Sequence, residues 1–173
     1  MSLRLDIPVI ETERLILRGP RESDFEAVAA FGASPRANFV GGSADRWENW
    51  RNFLAVIGHW ALRGYGFWTL EEKGTGAPAG RVGVIKHEMW PEPELGWHVF
   101  DGFEGRGHAY EAAVATRDHA GREMGLGPLI SHIHPDNARS IALAERLGAT
   151  FEREGTLLGE PCRVYRHPKV ETL

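Results

Sequence analysis

The chain has 173 residues and a formal net charge of -4, with acidic and basic side chains interspersed, so neither a nucleic-acid footprint nor a polybasic membrane patch is visible. Its single cysteine, Cys162, excludes an internal disulfide and a thiolate-based zinc site and suits a reducing cytoplasm. No apolar run reaches membrane-spanning length and no signal-peptide pattern opens the chain, so a cytoplasmic protein with one domain over 1–173 is expected.

In chain order, Leu15-Ile16-Leu17-Arg18 reads as a first strand. Ser23-Asp24-Phe25-Glu26 has capping-box spacing ahead of a helical face made of Phe25, Val28, Ala29 and Gly32. After Gly41-Gly42-Ser43, the residues Trp47, Trp50, Leu54, Ile57 and Ala61 recur at helical spacing as far as Gly64 and predict a second amphipathic helix. Segments 65–71, 80–87 and 94–100 read as three strands of an antiparallel meander, separated by Lys73-Gly74-Thr75-Gly76-Ala77-Pro78 and by Pro91-Glu92-Pro93. The next helix gathers Ala109, Ala112, Ala113, Ala120 and Met124 on one face. It stops at 125–128, and 129–134 forms the following strand, which predicts a βαβ crossover. A last helix near 138–147 and strands near 150–154 and 162–167 complete an α/β architecture. The expected sheet is mixed, mostly antiparallel and six to seven strands wide, with helices on both faces.

The chemistry concentrates between residues 94 and 124. Gly105 and Gly107 lack a Cβ, so the backbone between them can curl and present N–H groups outward, and the helix that follows adds the positive end of its dipole. A phosphorylated ligand suits such a place. No Gly-Lys-Ser/Thr triplet follows, which argues against a P-loop, and Tyr110 stands at the third glycine position of the dinucleotide fingerprint.

The run Glu104-Gly105-Arg106-Gly107-His108-Ala109 resembles the Gln/Arg-x-x-Gly-x-Gly/Ala signature with which acetyltransferases of the GNAT superfamily grip acetyl-coenzyme A. The opening Glu11-Thr12-Glu13-Arg14-Leu15-Ile16-Leu17-Arg18, the strand Glu94-Leu95-Gly96-Trp97 and the stretch from Asn137 to Gly148 are similar, in the family's order, to its ribosomal-protein-alanine N-acetyltransferase-like branch. The resemblance implies a GNAT-like fold with a splayed central strand pair, acetyl-CoA as cosubstrate and no metal. It implies direct attack in a ternary complex by a primary amine, either a protein N-terminus or a small molecule, and a homodimer as a family-level expectation. It places main-chain contacts to the pantetheine arm and acetyl oxygen at Trp97, His98, Val99 and Phe100. Gly105, Arg106, Gly107, His108, Ala109 and Tyr110 then form the pyrophosphate cradle, with a further cofactor contact at Asn137. Glu104 departs from the signature, and a carboxylate there would repel a pyrophosphate, offset in part by Arg106.

Amine acetylation needs a donor to the thioester carbonyl, a base and an acid. Glu94 and His98 lie four apart on an extended segment and share a face, with Gly96 between them leaving space for a reacting group. Glu94 is the first candidate for the base, directly or through water, against the plainer reading of a sheet-end carboxylate. His98 is the second, against a hydrogen-bonded filler. Many relatives carry a tyrosine acid where this chain has Ala144, which leaves Ser140 as the candidate acid and cofactor contact; a helical serine otherwise bonds back to the preceding turn. Asn137 also reads as an N-cap. His87, His98, His132 and His134 come without a metal motif, so no metal is expected. Competing readings are a noncatalytic acyl-CoA-binding sensor and an interaction module that uses the fold without the cofactor.

Overall fold

The computed structural model describes residues 5–172, and the two ends of the predicted 1–173 domain lie outside them. The alternating segments form eight strands: β1 (Ile10–Glu11), β2 (Leu15–Arg18), β3 (Phe67–Glu72), β4 (Pro78–Ile85), β5 (Glu94–Val99), β6 (Ile130–Ile133), β7 (Thr150–Leu157) and β8 (Glu160–Arg166). They make one sheet in the order β1-β2-β3-β4-β5-β6-β8-β7. Every pairing is antiparallel except β5 with β6. The strand beyond the expected count is β1, whose two residues pair with Leu17 and Ile16 and are too few to show a period.

Four helices are interleaved with these strands: α1 (Phe25–Ala33), α2 (Arg46–Arg63), α3 (His108–Glu123) and α4 (Ala138–Arg146). Side chains alternate across each strand, and one face of the sheet sends Trp68, Leu70, Val82, Val84 and Leu95 against Ala112, Ala113 and Ala120 of α3 in the main core. Alanines at those positions let the helix lie close to the strands. The opposite face, carrying Phe67, Arg81, Gly83, Glu94, Gly96 and His98, looks toward α1 and α2 across a cavity.

Two local expectations are corrected. The buried stripe of α2 is Asn49, Phe53 and Trp60, whereas Trp47 and Leu54 are 65% and 45% exposed. The stripe is hard to read because its first member is polar: Asn49 Nδ2 donates to Ser43 O at 2.7 Å, and a Cβ added to Gly32 would meet Asn49 Oδ1 at 2.4 Å. At the start of α1, Ser23 does not cap the helix. Asp24 occupies that position and turns its carboxylate back to the Arg21 N–H at 2.8 Å and to both Nη atoms of Arg18 at 2.9 Å, because the buried guanidinium is the stronger donor.

Candidate active site

The only parallel contact in the sheet begins and ends at one register pair, Glu94 with Ile130. Ser131 Oγ closes the joint by donating to Leu95 O at 2.6 Å while lying 2.9 Å from His167 Nε2. Beyond Leu95 the two strands part. Phe100 N–H donates to Ala79 O at 2.9 Å, and the alternation of an antiparallel ladder then turns the main-chain groups of His98 and Phe100 toward β4. A Cβ on Gly80 would lie 2.3 Å from His98 O, in agreement. Of the four main-chain positions singled out in the sequence, Trp97 and Val99 therefore face the split and His98 and Phe100 do not. Val99 O already accepts from Arg36 Nη1 at 2.9 Å.

The strand leads through 100–107 into α3. Gly105 and Gly107 both have left-handed φ, 75° and 79°, which a side chain at either position would strain. Gly107 is the N-cap of α3 and no side chain caps that helix, so the N–H groups of its first turn, at His108, Ala109 and Tyr110, have no intrahelical acceptor. The loop itself is exposed. Beneath it, the buried His108 imidazole lies with Nε2 2.7 Å from Glu72 Oε2, and Arg106 Nη1 is 3.5 Å from the same oxygen. On its other side Arg14 binds Glu111 through Nε at 2.7 Å and donates from Nη1 to Arg106 O at 2.6 Å. A Cβ on Gly107 would sit 3.1 Å from Arg14 Nη2. Glu104 turns away from the helix start: its carboxylate accepts from the Gly102 N–H at 2.7 Å. Its own N–H, the Gly102 N–H and Arg36 hold it below the usual carboxylate range.

A cavity of about 940 Å³ runs past the split. Glu94, 8% exposed, lines it; Oε2 accepts from Trp90 Nε1 at 2.5 Å and Oε1 from the His132 N–H at 3.0 Å, while His132 Nδ1 lies 3.1 Å from Oε2 without hydrogen-bond alignment. Gly96 does not leave open space: a Cβ there would be 3.0 Å from Phe67 Cζ, so the Phe67 ring fills the gap. His98 stacks between Phe31 and Phe67, with centroids 5.4 Å from each, and its Nδ1 lies 3.1 Å from Arg81 Nη2. Burial, aided by Arg81, pushes its pKa well below the ordinary value, so the ring is neutral and Nδ1 is the acceptor. On the far wall Trp97 Nε1 donates to Ser140 Oγ at 3.1 Å, and Asn137 Oδ1 accepts from the Ser140 N–H at 3.3 Å as the N-cap of α4. Ala144 is fully buried. Among the described residues no three His, Cys, Asp or Glu side chains converge on a metal-sized site, and no helix is long and apolar enough to cross a membrane.

Sequence reasoning missed Arg81 and the contacts of Arg14, and took Trp90 and Trp97 only as core or pocket-wall aromatics without their hydrogen bonds to Glu94 and Ser140. The pairing of Arg81 with His98 across β4 and β5 is a register fact, and Arg14 and Trp97 act through partners distant in the chain.

The family model for the acetyltransferase (GNAT) domain matches residues 14–150. The chain belongs to the GNAT acetyltransferase family. A solved acetyltransferase from Agrobacterium tumefaciens str. C58 is 39% identical, with 98% of this chain and 99% of that one covered and a TM-score of 0.86. A curated relative, the uncharacterized protein YkkB of Bacillus subtilis (strain 168), is 29% identical over 69% of this chain and 67% of its own length. The ribosomal L7/L12 α-N-protein acetyltransferase RimL, solved with coenzyme A, shares the fold at 19% identity and a TM-score of 0.74 over 94% of this chain and 98% of that one. GNAT membership carries acetyl transfer from acetyl-CoA in general terms.

Proposed function

We propose that the protein is an N-acetyltransferase that moves the acetyl group of acetyl-CoA onto a primary amine in a ternary complex, without an acyl-enzyme. The observation that carries this reading is the succession of three features along β5 and the loop after it: one cavity lined by Glu94, Trp97, His98 and Ser140, the opening between β5 and β6, and the uncapped start of α3. The residues fit the donor. The free N–H groups of His108 and Ala109, with Arg14 and Arg106 alongside, suit a pyrophosphate, and the Trp97 and Val99 main chain suits an amide-containing arm lying along the strand edge. When bound, acetyl-CoA supplies an activated thioester: the amine nitrogen forms the new C–N bond as the C–S bond breaks, and the electron pair stays on sulfur.

Each protein group has a matching task. Glu94 takes a proton from the incoming ammonium through a water, oriented by the Trp90 and His132 N–H donors. Ser140 accepts from the Trp97 indole, which leaves its own proton for the departing sulfur. His98 serves as a wall group and as a hydrogen-bond acceptor for Arg81, since its Nδ1 lone pair is engaged. Asn137 holds the first turn of α4 and with it Ser140. The ribosomal-protein branch supports a peptide N-terminus as acceptor by resemblance, and a small-molecule amine fits the same cavity. The test is CoA release across a panel of peptides and metabolite amines. Release with at least one amine is expected, and CoA binding without release from any of them would replace the enzyme with a sensor.

A further inference from the structure

One charged group in the acceptor cavity has no partner of opposite sign. Arg81 projects from β4 onto the face shared by Phe67 and His98 and lines the cavity. Its guanidinium carbon stands 5.6 Å from the Phe67 ring centroid, its Nη2 meets the neutral His98 Nδ1, and its Nε is buried with no hydrogen-bond acceptor. No carboxylate pairs with it among the described residues, whereas arginines at 14, 18, 36, 46, 106, 153, 163 and 166 each have one. Burial lowers its pKa to about 10, so it remains a cation at neutral pH. A half-buried guanidinium that faces a cavity without a counter-ion is better satisfied when a ligand carboxylate completes it.

We propose that Arg81 is the receptor for a carboxylate on the acceptor, so that the amine acetylated in this cavity belongs to a free amino acid or a closely similar amino-carboxylate rather than to a protein N-terminus. The inference rests on the acetyltransferase reading above. The position suits the chemistry: Arg81 pairs with His98, two residues along β5 from Gly96, so an anion paired with its guanidinium in the cavity lies beside the split while the attached amine faces it. Charge also selects the class. Arg81 is the one arginine or lysine among the cavity's lining residues, His59 and His87 beside it are both held below their ordinary pKa chiefly by burial, and Glu94 and Glu160 contribute carboxylates elsewhere on the wall. A single guanidinium in that setting balances a monoanionic carboxylate better than a dianionic phosphate. Phe31, Phe67 and Trp90 supply aromatic surface to the wall, which matches the apolar part of such a molecule.

The test uses the full-length protein with the L-amino acids and the amines that share their side chains but lack the carboxylate, together with phosphoethanolamine against ethanolamine and a set of N-terminally free tripeptides. CoA release gives kcat/KM for each. The best amino acid should exceed its decarboxylated partner by at least tenfold, the lower end of what a charged hydrogen bond supplies, and should exceed every tripeptide. Arg81→Gln should reduce that ratio to about two or less, and Arg81→Lys should restore part of it. In parallel, calorimetric titration with N-acetyl amino acids and their uncharged N-acetylamine counterparts, at saturating CoA, reads the same preference without turnover. If no amine is acetylated but the N-acetyl amino acids still bind through Arg81, the enzyme reading fails and the anion site stands. Preference for tripeptides, for phosphoethanolamine or for the uncharged amines would overturn the proposal, as would a preference unchanged in Arg81→Gln.

Discussion

Glu94→Gln separates the structural task of one carboxylate from the catalytic task proposed for it. The carboxylate accepts from two fixed donors, the Trp90 indole on Oε2 and the His132 N–H on Oε1. A glutamine of the same shape has one acceptor and one donor at those positions, so either orientation sets an N–H against an N–H. Leaving one buried donor unsatisfied costs about 1–3 kcal/mol. For a chain of this size each kcal/mol moves Tm by roughly 2–4 °C, so a fall of about 2–12 °C is expected. Loss of the base should separately lower kcat by about 10²- to 10⁴-fold at neutral pH, with the CoA dissociation constant within twofold of wild type because the cradle lies at the other end of β5. Scanning calorimetry, steady-state CoA release and calorimetric CoA titration read the three quantities apart. An unchanged Tm would refute the two-donor geometry. Unchanged kcat in the folded variant would remove Glu94 as the base whatever its role in packing.

Gly107→Ala places a Cβ on a left-handed residue and 3.1 Å from Arg14 Nη2; a backbone penalty of about 1–2 kcal/mol should weaken CoA binding roughly tenfold by titration calorimetry, and an unaltered affinity would exclude the loop as the cradle. Ser140→Ala should slow the chemical step by at least about tenfold in single-turnover experiments while leaving CoA affinity intact, and a normal rate would retire it as the acid. Asp24→Ala removes one of the two carboxylate partners of the buried Arg18, leaving Glu71 Oε2 at 2.5 Å from Nε, and should cost about 1–3 kcal/mol in urea unfolding. The same pair sets an acid limit: burial pushes the Asp24 carboxyl up, but Arg18 and the Arg21 N–H outweigh it and hold it below its ordinary value. Its contribution is therefore complete above the unfolded pKa near 3.9 and is lost as pH falls through the lower folded value. Asp24→Asn should flatten that part of the stability profile; an identical acid limb in both proteins would contradict the assignment.

The parts of the fold legible in the sequence are those set by short-range pattern. The meander, the crossover and the four helices follow from strand alternation, glycine breaks and the alanine face of α3. The glycine loop was equally local, because two residues that need positive φ mark their own positions. Features that depend on which strand edge is free were not legible. The commitment of Phe100 N–H to Ala79 O, and with it the division of 97–100 between sheet and split, follows from register. Phe67 filling the space over Gly96 is likewise a cross-strand contact, and so is the burial of Arg81 beside His98. The buried stripe of α2 was misread because Asn49 belongs to it through hydrogen bonds rather than hydrophobicity.

The adjacency of the helix start and the split is a consequence of topology. Parallel strands require a crossover, and a helix that supplies it begins at the C-terminal end of the first strand, just where β5 has already parted from β6. The free N–H groups of α3 and the edge of Trp97 and Val99 that faces away from β4 are therefore held at one end of the molecule by the same connection. Glu94 lies at the opposite end of β5, where the strands still pair, and its donors Trp90 and His132 come from the flanking segments of that closed joint. Under the function proposed above, a ligand with an anionic head and an extended amide arm would run from the loop toward the carboxylate, so that the order of groups along one six-residue strand would set anion grip, arm and base in sequence, with Arg81 approaching the middle from β4.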